Sequence, residues 1–103
     1  MDAETIGELI VRVRAERGLS QLGLATRLCA CAGLATVTRH EISRWERGER
    51  IPSGYWLAWL ALALDRPVAE LDRAAAAGRE RRAAEPPRRW IEHAPGVYRR
   101  RVA

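Results

Sequence analysis

The chain has 103 residues, room for one domain and a short extension, and its 48% of hydrophobic residues is enough for a modest core. Its net charge of +5 comes from eighteen basic residues, all arginine, against thirteen carboxylates. No run approaches the roughly 18 uninterrupted apolar residues of a membrane span, and the acidic start Met1-Asp2-Ala3-Glu4 lacks the basic and apolar regions of a secretory signal.

The placement of charge says more than its sum. Residues 1–77 carry ten arginines and ten carboxylates, and residues 78–103 carry eight arginines against Glu80, Glu85 and Glu92, so the whole imbalance sits in the last quarter. A basic extension on a neutral globule is either a phosphate-contacting arm or a solubilising tail. Guanidinium suits bidentate contacts to phosphate and guanine, although GC-rich coding also explains the lack of lysine. Cys29 and Cys31 are one residue apart. That is too close for an ordinary structural disulfide, and two thiols cannot complete a four-ligand zinc site, so they read as small apolar fillers. No Ser/His/Asp, Cys/His, metal-binding or glycine-rich phosphate signature appears, and the two histidines lie in different regions. Catalysis, a bound metal and a cofactor are therefore not expected.

The first 77 residues read as five short helices. Ile6, Leu9, Ile10 and Val13 recur at helical spacing, and Gly18 fits a left-handed stop after Arg17. Ser20 caps a second helix with Leu24, Ala25 and Leu28 on one face. This helix is expected to run to about Ala32, with Gly33 as its stop and Leu34 and Val37 packed under the following turn. Thr38 and Glu41 have the spacing of a capping box for a third helix, with Ile42 and Trp45 inward and Gly48 at its end. Pro52-Ser53 breaks the chain and caps a fourth helix, about Gly54 to Leu64. Pro67 starts a fifth, with Val68 and Leu71 inward, expected to end near Ala77. Beyond it, Pro86-Pro87 blocks helix. Two short stretches around Ala94-Pro95-Gly96 then fit a small β-hairpin turned at Pro-Gly.

Five short helices fit many folds, and the narrowing comes from particular residues. They are Arg14, Arg17-Gly18-Leu19-Ser20-Gln21, Leu24-Ala25, Leu28, then Ile42-Ser43-Arg44-Trp45-Glu46-Arg47-Gly48, followed by Pro52-Ser53 and Leu57, Leu60, Ala61 and Leu64. Over about residues 4–75 this resembles the Cro/repressor-like, or xenobiotic-response-element type, helix-turn-helix family of transcriptional regulators. The resemblance implies an all-α, five-helix, lambda-repressor-like DNA-binding domain at 1–77, with the arginine-rich extension at 78–103.

A major groove about 12 Å wide admits one α-helix, and the motif presents the start of its second helix to base edges. The third helix, about Thr38 to Arg47, has a matching division of labour, with Arg39, His40, Ser43 and Arg44 left facing outward. The resemblance implies that Arg39, His40 and Ser43 read bases and that Arg44 reads or clamps phosphate. It also implies a phosphate contact at Gln21 and an ion pair between Arg14 and Glu46 tying the first helix to the third. Thr38, Arg47 and Arg50 are further candidates for phosphate beside the groove. One departure stands out. The family joins its two motif helices by a tight turn with glycine after the position of Leu28, whereas Cys29 stands there and Leu28 to Ile42 spans 14 residues where the family's spacing is about seven, the inserted segment being roughly Cys29 to Val37.

The fourth helix is apolar all round, which requires cover on every side. Tyr55, Trp56, Trp59 and Leu62 fall where the family carries polar residues. Two occupants fit that face: a second copy in a homodimer, or the C-terminal segment with Trp90, Ile91 and Tyr98. The expected function is therefore a sequence-specific regulator of transcription, a repressor, bound to double-stranded DNA as a homodimer on an inverted repeat in the cytoplasm, at the nucleoid. An antitoxin or protein-binding adaptor using the fourth helix and the tail for a protein partner is the alternative.

Overall fold

A computed structural model describes residues 3–34 and 36–84. Among these the protein is all-α, with α1 (Ile6–Glu16), α2 (Gln21–Ala32), α3 (Arg39–Glu46), α4 (Gly54–Leu64) and α5 (Val68–Ala84). α1 packs on α3 and α5, α2 on α3 and α4, and α4 on α5, which closes the helices around one core. The expected apolar faces meet there: Ile6, Leu9, Ile10 and Val13 of α1, Leu24 and Leu28 of α2, Ile42 and Trp45 of α3, Leu60 and Leu64 of α4, and Leu71 of α5 are all essentially buried. Each such aliphatic side chain contributes about 1.5–3 kcal/mol relative to an exposed position.

The glycine stops at 18, 33 and 48 each adopt positive φ, near 70°, and end α1, α2 and α3 as their sequence positions predict. The Ser20 hydroxyl accepts from the Gly23 N–H at 2.9 Å and starts α2. Ser53 does the same for α4 from Trp56 at a longer 3.5 Å. α2 reaches Ala32, so the inserted residues first lengthen this helix and only then form a turn.

Four local expectations are corrected. Thr38 is the N-cap of α3, but its side chain makes no capping bond; Glu41 turns instead toward Arg50, 3.5 Å away, so the box does not close. The box that does form is Thr5/Glu8 on α1, where the Thr5 N–H donates to Glu8 Oε1 at 2.9 Å and the Glu8 N–H to Thr5 Oγ1 at 3.3 Å. Val37 is buried under the turn, but Leu34 is exposed, because the chain leaves α2 at Gly33 with Leu34 beyond the edge of the core. Val68 is exposed as well; it lies in the first turn of α5, which meets the core only from Leu71 onward.

The fifth helix also runs seven residues past its expected end at Ala77. Gly78 lies inside the helix because a Cβ there would press on Ile51 Cδ1 at 3.1 Å and Ile6 Cγ2 at 3.5 Å. A helical glycine costs about 0.5–1 kcal/mol, and close approach to α1 and the loop before α4 offsets it. The strong helix formers Arg79 to Ala84 then carry the helix on. The hairpin around Ala94-Pro95-Gly96 and the fold-back of Trp90, Ile91 and Tyr98 lie outside the described residues.

Candidate nucleic-acid interface

The outward side of α3 follows from the helical period. Ile42 and Trp45 are held in the core at 0% and 1% exposure, so residues about 100° to either side turn to solvent. Arg39 and Ser43 share one row of that surface, and His40 and Arg44 the next. Arg39, His40 and Arg44 are exposed and Ser43 is half-buried. Neither Arg39 nor Arg44 has a carboxylate within salt-bridge distance among the described residues, whereas Arg47 pairs with Glu49 and Arg50 with Glu41.

The start of α3 is open. The N–H groups of Glu41 and Ile42 both close on the Thr38 carbonyl, at 3.1 and 3.2 Å. The Thr38 side chain is exposed and uncommitted to the helix. The positive end of the helix dipole therefore faces solvent beside Arg39.

A half-buried network holds α3 against the rest of the motif. Arg14 Nε and Nη2 donate to the two oxygens of Glu46, the second at 3.1 Å, and Arg14 Nη1 donates to the Leu19 carbonyl at 3.2 Å. These bonds to Glu46 raise the Arg14 pKa further above its ordinary value. Gln21 Nε2, at the first position of α2, donates to Glu46 Oε1 at 2.8 Å. One amide hydrogen of Gln21 is thus spent on α3, and its second hydrogen and its oxygen remain. Glu46 joins α1, α2 and α3 through three donors, a role for Gln21 beyond the one read from the sequence.

A second tie lies in the inserted segment. Cys29 Sγ donates to the Val37 carbonyl at 3.3 Å and fastens the approach to α3 onto the last turns of α2. Both cysteines are free and half-buried. Nothing in the local sequence signals this contact, since it depends on how far α2 extends.

On α4 the four large residues divide. Tyr55 and Leu62 are exposed, at 51% and 61%. Trp56 and Trp59 pack against the core, and the Trp56 ring lies 6.4 Å from that of Trp45. Tyr55 meets both tryptophans edge-on, at 5.1 and 6.4 Å. Trp56 therefore has a role within the protomer, supporting α3 from behind.

Among the described residues no group of His, Cys, Asp and Glu is arranged to hold a metal ion, and no helix is long and apolar enough to cross a membrane. No curated protein and no solved structure matches the chain. A family model described as helix-turn-helix matches residues 10–71, more than half of the chain and all of α2, α3 and α4. The helix pair, the open start of α3 and the sequence match agree, and the chain belongs to the Cro/C1-type (xenobiotic-response-element) helix-turn-helix family of DNA-binding domains.

Proposed function

We propose that the protein is a transcriptional repressor that reads duplex DNA through the start of α3, as a homodimer on an inverted repeat. One observation carries the reading: on and around α3, Arg39 and Arg44 are the arginines without a carboxylate partner among the described residues. An unpaired guanidinium on the exposed face of a helix-turn-helix recognition helix is free to meet guanine O6 and N7 or a phosphate oxygen. Arg39, His40 and Ser43 form the base-reading set, and Arg44 reads a base or clamps phosphate. The second amide hydrogen of Gln21 and the Thr38 hydroxyl are donors to the backbone. Arg47 and Arg50 reach phosphate by exchanging their carboxylates for it. The DNA-binding domain spans residues 1–77, and 78–103 is a basic extension whose first turns continue α5.

The exposed Tyr55 and Leu62 favour a protein partner on α4, and a second copy of the chain with Trp59 at its margin suits an inverted operator. The same face would serve an antitoxin or adaptor. The reading of α3 is tested by selecting duplexes from a random pool and titrating the selected site. Arg39→Ala is expected to cost about 1–3 kcal/mol and to relax preference at one base pair, while Gln21→Ala weakens all sites alike. An unchanged sequence profile for Arg39→Ala would remove Arg39 from the base-reading set.

A further inference from the structure

We infer that the last turns of α5 brace the loop that leaves α3, and that Arg82 is a positioning residue for the phosphate contact of Arg50. The inference rests on the reading of α3 given above. The family match ends at residue 71, yet α5 continues to Ala84. Those added turns lie against the loop of residues 48–51. Gly78 allows the approach, since a Cβ there would stand 3.1 Å from Ile51 Cδ1. Past it, Arg81 Nη1 reaches Glu8 Oε2 on α1 at 3.4 Å, and Arg82 Nη1 donates to the Glu49 carbonyl.

That carbonyl belongs to the peptide joining Glu49 to Arg50. The peptide is planar, so holding its oxygen sets the direction in which the chain enters Arg50. The other polar ends of Glu49 are held from α3 and its exit: its N–H donates to the Arg44 carbonyl at 3.0 Å, and its carboxylate pairs with Arg47 Nε. The Arg50 guanidinium then lies 3.5 Å from Glu41 Oε1. Beside the Ile51 contact, packing behind the loop leaves a gap. A cavity of about 260 Å³ opens between the start of α1, the loop and α5, with Gly7, Gly48, Ile51, Gly78 and Arg82 in its wall. Where close packing does not restrain a loop of three or four residues, a single side-chain bond to its backbone does. Arg82 is exposed and its bond lies at the surface, so its loss loosens the loop without opening the core.

The test is a double-mutant cycle on the full chain, with a duplex that the wild type selects from a random pool. Arg82→Ala is expected to weaken binding about three- to tenfold with its melting temperature unchanged, and Arg82→Lys, which keeps a donor, to recover part of the loss. In an Arg50→Ala background the same Arg82→Ala change is expected to cost less than about twofold, because its effect passes through Arg50. A full loss persisting in that background would mean that Arg82 touches phosphate by itself, and would overturn the positioning role. So would unaltered affinity, or a loss that only tracks a fall in melting temperature. A wild type that selects no duplex overturns the reading of α3 as well; selective binding with an indifferent Arg82→Ala overturns this inference alone.

Discussion

At Gly7 the backbones of α1 and α3 approach each other closely. A Cβ there would stand 2.6 Å from the carbonyl oxygens of both Trp45 and Glu46, which are backbone atoms and cannot swing aside. Gly7→Ala is therefore expected to destabilise the fold by about 1–3 kcal/mol, even though alanine is the better helix former by up to about 1 kcal/mol. Denaturant titration checks it, and a stabilised variant would contradict the close approach. Glu46, on α3, gathers donors from α1 and α2, and its side chain is 7% exposed. Glu46→Ala leaves Arg14 and Gln21 without their acceptor. A cost of about 1–3 kcal/mol is expected, below that of a fully buried pair because the Arg14 side chain keeps 20% of its exposure.

At the scale of elements, the two Thr-x-x-Glu sequences make a controlled comparison. Thr5/Glu8 closes as a box and Thr38/Glu41 does not. Thr5→Ala should thus cost about 1 kcal/mol and Thr38→Ala under about 0.5 kcal/mol, measured by thermal or denaturant unfolding. Equal costs would mean that the two helix starts are alike in solution. The closed box also has a pH signature. The Thr5 N–H bond to Glu8 holds this carboxyl below its ordinary 4.5, and the Arg12 guanidinium does the same for Glu4. Both groups bind protons less readily folded than unfolded. Their contribution is complete above the unfolded value and is lost as pH falls through the lower folded value. Melting temperature should stay level down to about pH 5 and decline below 4.5, and Thr5→Ala with Glu8→Gln should shallow that decline.

For the whole molecule, the test is what covers α4. If a second copy does, as proposed, sedimentation at tens of micromolar should show a dimer, and Leu62→Glu should return it to monomer with little loss of stability, since Leu62 is 61% exposed within the protomer. A strict monomer at that concentration removes the homodimer. Trp56→Ala should behave differently from Leu62→Glu. Its ring supports Trp45, so it should lower protomer stability as well, by about 2–4 kcal/mol for a partly buried aromatic.

The helices, their glycine stops and the inward faces of α1 to α3 were legible in the amino-acid sequence, because each depends on contacts within one or two turns: periodic apolar residues, a capping serine, a glycine able to take positive φ; on the all-apolar α4, Trp56 and Trp59 were read as facing a partner and instead pack against the core. The outward set Arg39, His40, Ser43 and Arg44 was legible for the same reason, as the remainder of a helix whose inner face is Ile42 and Trp45. The tertiary structure alone decided which of two identical capping signatures closes, because Arg50 competes for Glu41 from outside α3. It alone showed that α5 passes through Gly78, since the reason is the nearness of Ile51 and Ile6 rather than any helix signal. And it alone sorted the arginines on and beside α3 into paired and unpaired among the described residues, because a guanidinium's partner is chosen by distance in space, which the order of residues along the chain does not contain.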